Sequence, residues 1–138
     1  MAEIYRKWSP IDDLPFPLDL DEFCKNENGL SIFLNSEDHT EKILHIHFSV
    51  YESFREIGEE FKTKFWHEVE IEEDYAFFIV ENSEWLETFH AEAENHFRDF
   101  PLQHYAIWTT ENWIDILSSE KPSVTWVNNL KSKFQNPK

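Results

Sequence analysis

Apolar and polar side chains alternate strictly from Lys42 to Val50. Leu44, Ile46, Phe48 and Val50 fall on one side, and Ile43, His45, His47 and Ser49 on the other. Period two is the signature of a strand with one face buried. Leu30 to Leu34 reads as a second strand, and the polar stretch from Asn35 to Thr40 between the two predicts a hairpin. The alternation returns from Lys64 to Glu72, where Phe65, His67, Val69 and Ile71 oppose Trp66, Glu68, Glu70 and Glu72. Tyr75 to Val80 is apolar at every position, as expected of a central strand covered on both faces, with Glu72-Glu73-Asp74 as the turn before it. His104–Thr109, Trp113–Leu117 and Ser123–Val127 read as further strands. Residues 112–117 also fit a short helix. Tyr51 to Lys62 stays open: Phe54, Ile57 and Phe61 have helical spacing, while Gly58 and the aromatic content allow a bulged strand.

A principal helix is predicted over 83–97. Asn82 or Ser83 can cap it, and Glu84 and Glu87 sit in the first turn, where the helix dipole favours anions. Trp85, Leu86, Phe89, Ala93 and Phe97 form one apolar stripe, and Phe100-Pro101 ends the element. Before the first strand, Pro10, Pro15 and Pro17 predict an irregular lead-in over 1–29, with at most a helical turn at Asp19–Phe23 and a tight turn at Asn28-Gly29. The stretch 128–138 holds three lysines and no acid, and reads as a frayed or short amphipathic tail. The 138 residues suit a single domain. The expected fold is α+β: a mainly antiparallel sheet of about five to seven strands with the 83–97 helix packed on one face.

Charge changes the picture more than composition does. The chain has 28 Asp and Glu against 12 Lys and Arg, a formal charge of −16. Between Glu52 and Glu94 there are 14 acids and three bases, Arg55, Lys62 and Lys64. These acids are interleaved with large apolar residues, and aromatics make up 17% of the chain, so the stretch reads as a folded surface of one sign. Such a surface repels nucleic acid and anionic membrane and attracts basic partners. Glu68, Glu70 and Glu72 project the same way from one strand, where they repel unless something offsets them. Glu73 and Asp74 extend the cluster, Glu59 and Glu60 precede it, and Trp66 on the same face offers an aromatic anchor. These eight residues are the expected partner-binding set. The competing readings are a solvated face that blocks edge-to-edge aggregation and a divalent-cation site.

Motifs for chemistry are sparse. Gly29 and Gly58 are the only glycines, so neither a glycine-rich phosphate loop nor Gly-x-Ser-x-Gly can be built. Cys24 is the only cysteine, which removes any intrachain disulfide and leaves an inert thiol. His45 and His47 project from one strand face, but a metal needs a third ligand, and no spacing ties His67, His90, His96 or His104 to the pair. His90 and His96 lie on or beside the helix stripe, where packing is their expected role. Trp66, Trp108, Trp113 and Trp126 can line a pocket of a small enzyme or ligand-binding domain, or equally build the core. No cofactor is expected. The longest apolar run, Ala76–Val80, is too short to span a bilayer, and Met1–Pro17 lacks a signal-peptide pattern, so a cytoplasmic protein is expected.

Several segments together resemble the small acidic immunity proteins of bacterial toxin–immunity systems. They are Leu44-His45-Ile46-His47-Phe48 through Tyr51 and Phe54-Arg55, then His104-Tyr105-Ala106-Ile107 and Asp115-Ile116-Leu117-Ser118, within about residues 30–127. The resemblance implies a non-catalytic protein that binds a basic toxin domain, often a nuclease, and blocks its active site or substrate groove. The toxin-contacting residues of such proteins vary, so it assigns no residue a role.

Overall fold

The alternation at 42–50 sorts side chains by face. Leu30, Ile32 and Leu34 on one strand and Leu44, Ile46 and Phe48 on the next are buried, while Ser31, Phe33, His45 and His47 between them are half-exposed. The computed structural model describes residues 2–61 and 75–129. Among these, the hairpin is β3 (Gly29–Ser36) with β4 (His39–Phe48), in the register Leu34↔Leu44, Ile32↔Ile46 and Leu30↔Phe48. β2 (Asp19–Asn26) pairs with β3, and β9 (Ser123–Asn128) pairs with β4, giving a four-stranded sheet in the order β2-β3-β4-β9. The second sheet has five strands in the order β1-β6-β7-β8-β5. Its members are β1 (Ile4–Lys7), β5 (Ser53–Gly58), β6 (Phe77–Glu81), β7 (Gln103–Trp108) and β8 (Asn112–Ser118). All neighbours run antiparallel.

The two sheets pack face to face. Their shared core joins Leu30, Ile32, Leu34, Leu44, Ile46 and Phe48 from one to Phe77, Tyr105, Ile107, Ile114 and Ile116 from the other. The five-stranded sheet is also buried on its outer side, where Phe78, Val80, Ala106 and Trp113 cluster with Tyr5 and Trp108. β6 therefore buries Phe77 on one face and Phe78 on the other, which explains its unbroken apolar run. Among the described residues there is one α-helix, α1 (Glu84–Glu92), and it lies over this outer face.

Among the described residues the fold is thus mostly antiparallel sheet with one helix, as expected, but with nine strands instead of five to seven. Two of the extra strands lie in the segment expected to be an irregular lead-in. The prolines at 10, 15 and 17 fall in the connection between β1 and β2, so they interrupt neither strand, and Asp19–Phe23 belongs to β2, not to a helical turn. Residues 53–58 are a strand followed by a short 3-10 turn at Glu59–Phe61, and residues 112–118 are a strand.

The helix is shorter than 83–97. Ser83 is its N-cap and accepts a hydrogen bond from the Leu86 N–H at 3.0 Å. Its end is a Schellman turn: the Glu94 N–H donates to the Ala91 carbonyl at 3.0 Å and the Asn95 N–H to the His90 carbonyl at 2.8 Å. Glu94 and Asn95 take φ values of 53° and 63°, so the chain leaves the helix axis there and not at Phe100-Pro101.

Candidate functional site

The expected acidic face falls largely outside the described residues: Trp66, Glu68, Glu70, Glu72, Glu73 and Asp74 all lie there. The approach to it is described. Glu59 opens the 3-10 turn after β5, and Glu60 lines a surface cleft of about 580 Å³ with Gly58, Thr110, Glu111 and Asn112. The β7–β8 turn shapes one wall: Thr109 Oγ1 accepts from the Asn112 N–H at 3.0 Å and donates to the Asn112 carbonyl at 3.1 Å. The Asn112 side-chain amide donates to the Glu56 carboxylate, and the Thr110 hydroxyl donates to Asp19. Four carboxylates, from Asp19, Glu56, Glu60 and Glu111, thus surround one concave edge of the five-stranded sheet.

Among the described residues, the base on β5 is engaged elsewhere. Arg55 is the one Lys or Arg in the described part of 52–94. Its Nε donates to Asp115 Oδ2 at 2.8 Å, and its guanidinium lies 4.4 Å from the centre of the Trp85 ring. The charge of Arg55 is thus shared between Asp115 and the Trp85 ring, with the side chain still 45% exposed, and among the described residues Glu52 and Glu56 have no cation paired with them.

Asp115 is the centre of a buried polar array. It is 1% exposed and accepts from His104 Nε2 at 2.6 Å, Trp113 Nε1 at 2.9 Å and Arg55. The other ring nitrogen of His104, Nδ1, lies 2.7 Å from the Ser83 hydroxyl. Burial raises the carboxyl pKa, but the hydrogen bonds and charges of His104 and Arg55 outweigh it and hold Asp115 below the ordinary carboxylate range. The order Ser–His–Asp is that of a hydrolytic relay. Its surroundings are those of a clamp: His104 is 1% exposed beneath the edge of Trp85, and Ser83 Oγ already caps the helix. A general base must reach the proton it abstracts in a bound substrate, and this imidazole is enclosed by the helix and the sheet. The array joins β5, β7 and β8 to the first turn of α1 and so sets where the helix sits. The sequence carried one signal for it, missed in reading the chain: Asp115 is the lone charge in a strand that is otherwise apolar from Trp113 to Leu117. A carboxylate there must be buried and partnered.

A second cleft, of about 530 Å³, opens at the N-terminal end of α1. Asn82, Ser83, Glu84, Leu86, Glu87, His90 and Arg98 line it. Arg98 donates to both Glu87 oxygens, at 2.8 and 3.2 Å, and to the Asn95 side chain. The Glu84 N–H is taken by Glu3 Oε2 at 2.8 Å.

The other candidates resolve into packing. His45 Nε2 and His47 Nδ1 each lie 3.0 Å from the hydroxyl of Ser31, which sits between them, and His45 stacks on Phe33. Burial, with the neighbouring His47, holds His45 below the ordinary imidazole range. Among the described residues no group of three or more His, Cys, Asp or Glu is placed to hold a metal ion. Cys24 is half-buried on β2 opposite Ser31. Trp113 is fully buried, Trp108 and Trp126 pack against the two cores, and no tryptophan lines either cleft. Among the described residues no helix is long and apolar enough to cross a membrane. In comparisons with known proteins, no family model, curated protein or solved structure matches this chain.

Proposed function

We propose that this chain is a non-catalytic, cytoplasmic acidic protein that binds and neutralises a basic protein partner, in the manner of an immunity protein against a basic toxin domain such as a nuclease. The observation that carries the reading is the engagement of Arg55 by Asp115 and the Trp85 ring. Glu60 and Glu111 line a cleft of about 580 Å³ at the β5 edge, and the Glu56 carboxylate accepts from Asn112 in its wall. Carboxylates in that arrangement complement the Lys and Arg with which a nuclease holds phosphate. They raise the rate of encounter through long-range attraction, which salt screens.

The test is capture of basic proteins at low salt, followed by association kinetics with the protein recovered. Triple reversal of Glu56, Glu60 and Glu111 to Lys is expected to slow association by at least about tenfold and to flatten its salt dependence. Association that ignores salt, or that survives the reversal unchanged, defeats the reading.

A further inference from the structure

Among the described residues four strands form the edges of the two sheets: β1 and β5 in one, β2 and β9 in the other. An edge strand presents unpaired backbone N–H and C=O groups, and proteins guard such edges with charged side chains. β1 carries Arg6 and Lys7, β5 carries Arg55 and Glu56, and β2 carries Asp19, Asp21, Glu22 and Lys25. β9 reads Ser-Val-Thr-Trp-Val-Asn and carries no charged side chain. Val, Thr and Trp are strong strand formers, and the nearest proline, Pro122, stands before the strand, so nothing within β9 opposes further pairing.

The ladder to β4 fixes which backbone groups are open. The Asn129 N–H donates to the Glu41 carbonyl at 2.9 Å, in the same register that pairs Asn128 with Lys42 and Val124 with Ile46. In an antiparallel pair, residues whose backbone faces the partner strand alternate with residues whose backbone faces away. Ser123, Thr125 and Val127 therefore bond to β4, and Val124, Trp126 and Asn128 turn their N–H and C=O groups to the outer edge. Among the described residues no strand or loop backbone pairs with these three on that side.

Charge selects the occupant. All 28 acids of the chain precede residue 121, whereas 121–138 hold Lys121, Lys131, Lys133 and Lys138. β9 lies inside this acid-free stretch, so a basic partner is repelled from it. It is also where two acidic copies of the chain meet with least repulsion, because the lysines in this stretch offset the acid that each copy brings.

We propose that β9 pairs antiparallel with β9 of a second copy, across a two-fold axis at Trp126, and joins the four-stranded sheets of the two copies into one. This register sets Trp126 opposite its own copy and Val124 opposite Asn128, so every outward N–H and C=O of both strands is engaged; any other antiparallel register leaves some unpaired. The Trp126 rings, half-buried in the free chain, become a cross-strand aromatic pair. The dimer does not depend on the basic-partner reading, whose cleft lies at the β5 edge of the other sheet.

The test is sedimentation equilibrium of the full chain over a wide concentration range, in about 0.5 M sodium chloride to screen the repulsion between copies. A monomer–dimer equilibrium is expected. Asn128→Pro removes an outward N–H and leaves the bonds to β4 in place, so it should raise the dimer dissociation constant at least about tenfold, while Asn128→Ala, which keeps the N–H, should change it less than about threefold. Circular dichroism checks the fold of both variants. Amide exchange measured by NMR reads the register directly. The Val124 and Trp126 amides should exchange fast in the dilute chain and slow as it is concentrated, with Thr125 and Val127 slow throughout. A monomer at every concentration, assemblies that grow past the dimer, or an Asn128→Pro variant that associates like the unaltered chain overturns the proposal. So do Val124 and Trp126 amides that are already slow in the dilute chain, because the edge would then be covered by the chain itself.

Discussion

A carboxylate buried as deeply as Asp115 stays ionised only if its lone pairs are engaged, and three donors from three side chains engage it. Removing the carboxylate leaves Arg55, His104 and Trp113 with donors and no acceptor. Asp115→Ala is therefore expected to cost about 3–5 kcal/mol, the range for breaking one side of a buried charge pair, as measured by urea denaturation. The pH dependence follows from the sign of the shift. The folded-state pKa of Asp115 lies below its unfolded value, so the ionised group contributes stability that is present above the unfolded pKa, about 3.9, and is lost as the pH falls through the lower folded value. Urea midpoints of the native chain should fall from pH 6 toward about pH 3, and those of Asp115→Asn should fall less steeply. An equal fall in both would show that folding does not lower the Asp115 pKa.

Among the elements, those whose sequence period reports burial were legible and those ended by backbone geometry were not. β3, β4 and β6 could be read because a strand with one face buried must alternate and one with two cannot. β1 and β2 were missed because neither shows an apolar alternation: β1 is four residues long with Tyr5 as its one anchor in the outer cluster, and β2 is an acidic edge strand in which Asp19 and Asp21 flank Leu20. The end of α1 was missed for a different reason. The apolar spacing continues to Phe97, but the chain turns at Glu94, in a left-handed conformation that Gly normally supplies at this position of a Schellman turn. Without a glycine the stop has no sequence flag. The strain is testable. Glu94→Gly should raise stability by about 0.5–1 kcal/mol, because the positive φ costs an L-residue what glycine avoids. A lower urea midpoint in this variant would mean that the Glu94 side chain makes a contact worth more than the strain. The partner-binding acids were legible as a charge block, but their arrangement was not. Which base neutralises which acid depends on strand register, and the pairing of Arg55 with Asp115 across β5 and β8 engages the one Lys or Arg in the described part of 52–94.

At the scale of the whole molecule the charge of −16 acts on the free chain and on a complex with opposite signs. Like charges on a compact surface repel, so the isolated chain is less stable than its core alone would make it. Salt screens that repulsion, with a Debye length that shortens from about 30 Å at 0.01 M to about 3 Å at 1 M. The urea midpoint of the free chain should therefore rise with added sodium chloride; urea is the denaturant for this measurement because guanidinium would itself screen the charge. The Asp115 carboxylate and the His104 ring paired with it are buried and should change little over the same range, so the rise reports the surface. A complex with a basic protein behaves in reverse. The partner supplies the counter-charge and stabilises the folded chain by mass action, and salt weakens that binding and with it the added stability. Midpoints that rise with salt for the free chain and fall for the complex, converging at high salt, are the signature of a surface whose charge is completed by its partner. If the free chain is indifferent to salt, its acids are already balanced within the fold, and the charge argument for a basic partner loses its basis.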